Sequence, residues 1–205
     1  MYTRSTLLPV ICALLMLTAC AKPPTEQIAA AEKAVAEAQQ SGAATYVADE
    51  YAKIEGTLAA LKKEMSDQDG KLALFRDYGK VEQLAATAKG EAERVKAEAT
   101  KKKEEMKAAA LQAQQVAQEA VTATLALVAK APTGKDRAAV ESIKADAEAL
   151  KASLNQVQEA IDAADYSAAQ TKAKAIHEKS QAVSGEIEAA LSKIGKGKPS
   201  AAKKK

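Results

Sequence analysis

The chain has 205 residues, 30 basic and 27 acidic, with a formal net charge of +3; 47% are hydrophobic but only 3% aromatic, with five Tyr, one Phe and no Trp. Helices are built on Ala, Glu, Lys, Gln and Leu, whereas sheets draw on the branched and aromatic residues that are scarce here, so the composition excludes a β-rich fold. With one His (His177) and two Cys (Cys12 and Cys20), the chain has almost no material for nucleophilic, acid–base or metal chemistry; it is expected to be non-enzymatic, with no cofactor and no metal.

Residues 1–19 read as a secretory signal. Arg4 supplies the positive start, and Leu7 to Leu17 form an apolar core interrupted only by Pro9. That core is too short for a membrane span, which needs about 20 apolar residues, and no comparable run follows. The segment ends Leu17-Thr18-Ala19-Cys20, which resembles the lipobox of bacterial lipoproteins. The resemblance implies that Cys20 carries diacylglycerol through a thioether, that the preceding peptide is removed, and that the new amine is acylated with a palmitate-type chain. A thiolate is the nucleophile such a step requires. Burial of acyl chains contributes about 0.8 kcal/mol per CH₂, so several chains on one residue hold durably. Cys12 leaves with the signal, and no disulfide is expected. Ala21 stands where Asp would suggest inner-membrane retention, so the same resemblance favours the outer membrane, with the bulk of the chain facing the periplasm.

Residues 20–25 read as a lipid-anchored tether through Pro23-Pro24, with Thr25 as a hydroxyl N-cap ahead of Glu26. Helical spacing follows. Val47, Tyr51, Ile54, Leu58, Leu61 and Met65 form one apolar stripe, which Asp67-Gln68-Asp69-Gly70 interrupts. After Asp77-Tyr78 the stripe resumes through Val81, Ala85, Ala88, Ala92, Val95 and Ala99, and is expected to run on through Met106, Ala113, Val116, Ala120 and Val128. No Pro breaks that stretch, which predicts one helix of about 50 residues, about 80 Å long. Pro132-Thr133-Gly134 ends it. A further stripe runs through Val140, Ile143, Ala147, Leu150, Leu154, Val157 and Ile161 to Asp165-Tyr166, and a last one through Ala169, Ala173, Ile176, Ser180, Val183, Ile187, Leu191 and Ile194, with Gly195 as C-cap.

The halves resemble each other. Phe75-Arg76-Asp77-Tyr78, Ala85, Ala92 and Val95 align with Ala163-Ala164-Asp165-Tyr166, Ala173, Ser180 and Val183 at an offset of 88. Ile54, Leu61 and Met65 match Ile143, Leu150 and Leu154 at an offset of 89, and Ser41-Gly42-Ala43-Ala44-Thr45 falls opposite Lys130-Ala131-Pro132-Thr133-Gly134. The expected fold is therefore all-α: an elongated antiparallel helical bundle or coiled coil. It would hold two tandem three-helix-like repeats, residues 26–107 and 108–195, sharing one long helix. Chance alignment of Ala-rich helices is the alternative, because low complexity inflates self-similarity. At each Asp-Tyr junction, Asp is expected to accept an N–H at the start of the next helix, and Tyr to fill the gap between two antiparallel helices.

The run from Ala29-Ala30-Ala31-Glu32-Lys33 through Gly42 to Glu50, the Leu58 and Leu61 stripe, Asp77-Tyr78 and the Ala-periodic helix after it resembles a family of bacterial lipoprotein domains known as domain of unknown function number 4398. The resemblance covers residues 20–100, and the second half only through the repeat. It implies a helical, lipid-anchored envelope protein, with no known activity and no catalytic residues to carry over.

The sequence contains no phosphate-binding, dinucleotide-binding or zinc-protease motif and no CxxC pair. Acidic residues read as solvated helix faces with partners one turn away, such as Glu98 with Lys102. His177, beside Ile176, reads as a boundary histidine. Without Arg4 the chain keeps 29 basic and 27 acidic residues, and five of those bases, Lys196, Lys198, Lys203, Lys204 and Lys205, lie in the acid-free tail 196–205. Such a tail binds polyanions in a salt-sensitive way. In the periplasm these are peptidoglycan carboxylates and lipid headgroups, with nucleic acid in another compartment. A terminal Lys amine joined covalently to peptidoglycan, as in the major enteric outer-membrane lipoprotein, and an inert solubilising tail remain alternatives.

The function expected is that of a spacer or scaffold in the cell envelope, held to the membrane by Cys20, with self-association through leftover apolar surface as an option. The competing reading is a helical-repeat binding module, an adaptor or holdase gripping an envelope protein in a groove between hairpins.

Overall fold

The computed structural model describes residues 22–130 and 137–196. In chain order these form α1 (Thr25–Gln40), α2 (Ala43–Tyr46), α3 (Ala48–Asp69), a 3₁₀ turn (Ala73–Phe75), α4 (Gly79–Lys130), α5 (Arg137–Asp162) and α6 (Tyr166–Lys196). Among the described residues there is no strand, and the all-α bundle expected from composition is what forms. Two compact units meet inside α4, between Lys103 and Glu104. Because α4 is continuous across 52 residues, it supplies the third helix of the first unit and the first helix of the second.

The first unit packs α1, α3 and the early part of α4. One layer of its core gathers late α1 (Ala34, Val35, Ala38), early α3 (Tyr51, Ile54) and the middle of α4 (Ala92, Val95, Ala99). The other gathers early α1 (Ile28, Ala31), late α3 (Leu61, Met65) and the start of α4 (Tyr78, Val81, Ala85, Ala88). That grouping requires α3 to run antiparallel to both neighbours. Ion pairs mark the register: Lys62 to Glu32 at 3.0 Å, Lys80 to Glu64 at 2.6 Å and Lys96 to Glu37 at 2.7 Å. Exposed pairs of this kind contribute only about 0–1 kcal/mol each, so the small, closely packed alanines and the few large side chains carry the stability.

Between α1 and α2, Gly42 adopts φ +88°, and a Cβ there would sit 2.9 Å from the Tyr46 ring. Glycine alone fits that turn without strain. At the start of α1 the expected cap is corrected. Thr25 is the first helical residue, Pro24 holds the cap position without a side-chain bond, and the Ile28 N–H donates to the Pro24 carbonyl at 3.1 Å. Proline is tolerated there because the opening N–H groups of a helix have no partner within it.

The second unit packs late α4 with α5 and α6, around Ala117, Val121, Leu150, Val157, Tyr166, Ala173, Ile176 and Ile187. Polar groups join this core. The Thr124 hydroxyl lies 2.9 Å from the Ala120 carbonyl, 3.1 Å from the Ser180 carbonyl and 2.8 Å from Ser184 Oγ. Gln114 Nε2 donates to Gln158 Oε1 at 2.8 Å, and Gln170 Nε2 to the Met106 carbonyl at 3.3 Å.

The two units repeat the same burial pattern. Tyr51, Ile54, Leu58, Leu61, Met65 and Gln68 of α3 are buried or half-buried, and so, 89 residues on, are Val140, Ile143, Ala147, Leu150, Leu154 and Val157 of α5. Tyr78, Val81, Ala85, Ala88, Ala92, Val95 and Ala99 correspond in the same way, at an offset of 88, to Tyr166, Ala169, Ala173, Ile176, Ser180, Val183 and Ile187. Chance alignment of alanines would not reproduce which positions face a core.

Three expectations need correction. Beyond Ala99 the buried positions of α4 are Ala110, Gln114, Ala117, Val121 and Thr124, while Val116 is 40% exposed; Met106, Ala113, Ala120 and Val128 are only half-buried. Extending the stripe in sevens falls behind the helix, because a straight α-helix drifts by about 20° per seven residues from such a repeat. Glu98 pairs with Arg94 at 3.4 Å, one turn before it, and not with Lys102. Gly195 lies in the last turn of α6, which runs on to Lys196. The expected turn at Pro132-Thr133-Gly134 lies outside the described residues.

Candidate functional site

Both Asp-Tyr junctions work as expected. Asp77 Oδ1 accepts from the Gly79 N–H at 2.9 Å, and Asp165 Oδ1 from the Ala168 N–H at 3.0 Å. Tyr78 and Tyr166 are buried behind them. The two turns then diverge. In the second unit only Ala163 to Asp165 separates the helices. Ala164 takes φ 57°, the Asp165 N–H donates to the Ala160 carbonyl and the Ala164 N–H to the Ile161 carbonyl, both at 2.9 Å. This is the Schellman arrangement that satisfies the last helical carbonyls.

In the first unit the helix stops earlier. Gly70 ends α3, and Lys71-Leu72-Ala73-Leu74-Phe75-Arg76 leave the bundle as a knuckle containing the 3₁₀ turn, closed by Phe75 N–H donating to the Leu72 carbonyl at 2.8 Å. Ile161, the counterpart of Leu72 at an offset of 89, remains helical and half-buried in the second unit. Leu72 itself is 75% exposed, Leu74 82% and Phe75 70%. Isolated exposed leucines are ordinary on protein surfaces; here three large apolar side chains within four residues, among them the chain's one Phe, are exposed together.

The knuckle is held from beneath by polar bonds. Gln68, 5% exposed, accepts at Oε1 from Lys71 Nζ and from the Asp77 N–H, both at 3.0 Å, and donates from Nε2 to Glu64 at 2.8 Å. The Arg76 guanidinium donates to the carbonyls of Lys71 and Asp69, each at 3.0 Å, a cation at the carbonyl end of α3 where the helix dipole favours it. Tyr78 Oη lies 3.1 Å from Asp69 Oδ1 and closes the ring of contacts. The Lys80 ammonium and the Gln68 amide beside Glu64 hold its carboxyl below the usual carboxylate range. The base is thus pre-organised while the apolar tips face solvent.

Two grooves flank the helices of the second unit. One, of about 480 Å³ between α5 and α6, is lined by Leu150, Ile176 and Val183 with Asp146, Lys172 and Lys179 at its edge. The other, of about 340 Å³, is lined by Val116, Gln170, Lys174 and His177. His177 is half-buried, with Nε2 3.0 Å from the Gln181 amide nitrogen, and its Nδ1 is buried without a hydrogen-bond partner. Among the described residues no cluster of His, Cys, Asp or Glu could hold a metal ion, and no helix is long and apolar enough to cross a membrane.

Leu17, Thr18, Ala19 and Cys20 lie outside the described residues, as do Lys198, Lys203, Lys204 and Lys205; Lys196 closes α6. Of the sequence-selected site residues, Lys196 alone falls among the described residues. The knuckle was missed by the sequence reading. Its signal was present: Leu72 continues the α3 stripe in step after Met65 and Gln68, yet it follows Gly70 and is followed by Leu74 and Phe75, which fit no helical face. The chain matches no protein-family model, no curated protein and no solved structure.

Proposed function

We propose that the chain is a lipid-anchored, periplasm-facing scaffold of the bacterial cell envelope, fixed to the outer membrane through Cys20. The observation that carries the reading is the Leu17-Thr18-Ala19-Cys20 sequence, followed within five residues by the first helix of a bundle that repeats one three-helix pattern. A chain of tandem, Ala-packed units with charged outer faces suits a spacer, because each unit closes its own core and leaves its surface solvated. The Lys-rich tail, Lys196 to Lys205, is the candidate contact with peptidoglycan.

Metabolic labelling with an alkyne-bearing palmitate, followed by membrane fractionation, tests the anchor. The wild-type chain takes up label and sediments with the outer membrane, and C20S does neither. Normal processing and membrane recovery of unlabelled C20S would refute it. Retention of the chain on purified cell wall, with and without residues 196–205 across a salt series, tests the tail.

A second reading, a binding module for an envelope protein, is favoured by the apolar groove that Leu150, Ile176 and Val183 line. It predicts that the purified chain suppresses aggregation of an unfolded client; a scaffold does not.

A further inference from the structure

Two observations in the first unit converge on one end of its bundle. The ion pair between Glu32 and Lys62 at 3.0 Å sets the register of antiparallel α1 and α3, and seven residues further out along each helix Thr25 stands level with Asp69. The packing of Ile28 with Met65, Tyr78 and Val81 agrees. The Leu72 to Phe75 knuckle, which leaves α3 just past Asp69, therefore stands at the end of the unit where α1 begins. Cys20 precedes Thr25 by five residues, and an extended chain of that length reaches at most about 18 Å.

We propose that the knuckle is a second lipid contact: Leu72, Leu74 and Phe75 enter the interface of the membrane that holds the acyl chains of Cys20, with Lys71, Arg76 and Lys22 at its anionic headgroups. The proposal rests on the lipid-anchor reading above and adds to it an orientation, because one anchor leaves the first unit free to swivel and two contacts do not. Three features favour lipid over a protein surface. The apolar side chains are exposed at a turn between helices, where they can enter a soft interface without a shaped pocket. The cations beside them are not held in salt bridges among the described residues: Arg76 donates to two backbone carbonyls and Lys71 to an amide oxygen, the Lys71 charge also acting on Glu64, so their charge remains open to anionic lipid. The tether raises the local concentration of lipid at the knuckle, so a contact too weak to bind from solution is occupied once the chain is anchored. The bonds of Gln68 and Arg76 hold the turn in shape beforehand, which lowers the ordering cost of insertion.

The chain has no Trp, so F75W places a single indole reporter in the knuckle, and A52W places one on exposed Ala52 near the opposite end of α3. Each full-length protein, purified from bacterial membranes, is reconstituted into phosphatidylglycerol and phosphatidylethanolamine vesicles containing brominated lipid. The F75W indole is expected to shift to the blue and to lose at least half its emission, while the A52W indole stays water-like. Adding L72S and L74S to F75W should reverse most of the quenching with helicity unchanged, and quenching should weaken in vesicles of zwitterionic lipid alone. The mass of the amino-terminal peptide reports acylation separately. Acylated protein whose F75W indole behaves like that of A52W overturns the knuckle proposal and leaves the anchor standing. Non-acylated protein whose F75W indole is still quenched overturns the anchor and leaves the knuckle contact standing. A blue shift that arises with periplasmic extract and not with vesicles overturns the proposal in favour of a protein partner.

Discussion

Gln68 is the residue on which the shape of the knuckle depends most directly, and Q68L removes its hydrogen bonds while keeping its bulk. The substitution deletes the acceptor of the Asp77 N–H and of Lys71 Nζ and the donor to Glu64. At a net of about 0.5–1.5 kcal/mol for each bond, partly offset by the apolar area that Leu buries, the knuckle should open more easily by about 2 kcal/mol. Trypsin cuts after Lys71 and after Arg76, and when closing outpaces cleavage the rate follows the open population. Since 1.4 kcal/mol is a factor of ten, cleavage at these two bonds should rise about 30-fold. The Asp77 amide should lose hydrogen-exchange protection by the same factor, while amides in the middle of α3 and α4 stay protected. A tryptic rate within threefold of wild type, with Asp77 exchange unchanged, would show that the network does not hold the turn.

Ser180 is 1% exposed with its hydroxyl unpartnered, and its counterpart in the first unit is Ala92. S180A should therefore stabilise the second unit by about 1 kcal/mol, and A92S should destabilise the first by about 1–3 kcal/mol; calorimetry of both variants reads the opposite shifts in Tm. Ala164 adopts the left-handed conformation that usually falls to glycine, so A164G should gain about 0.5–1 kcal/mol, seen as a higher urea midpoint at constant slope. Lys80, then Gln68, lowers the pKa of Glu64 in the folded chain. Its contribution is therefore complete above the ordinary glutamate range and disappears as pH falls through the lower folded value. Tryptic cleavage at Lys71 should accordingly rise in acid, measured by brief acid incubation followed by pulse proteolysis, and K80A should weaken that pH dependence.

The sequence by itself determined the helical class, the stripes of α3, α5 and α6, both Asp-Tyr turns and the doubling of the unit. These rest on local regularities: a period near 3.6, a carboxylate able to accept an N–H, and similarity at a fixed offset. It could not phase the late part of α4, where a run of alanines offers several equivalent faces and a seven-residue extrapolation slips by one position. Only the tertiary structure decided which of Val116, Ala117, Ala120 and Val121 turned inward, because that choice belongs to the neighbouring helices. Leu72 makes the same point at the candidate site. Its place in the stripe resembles that of half-buried Ile161, yet Gly70 ends α3 early, and the bonds of Gln68 and Arg76 stabilise the chain in the unwound path. Whether an apolar residue becomes core or contact surface depends on where its helix stops and what holds the next turn, and those are settled by partners distant in three dimensions as well as near in sequence.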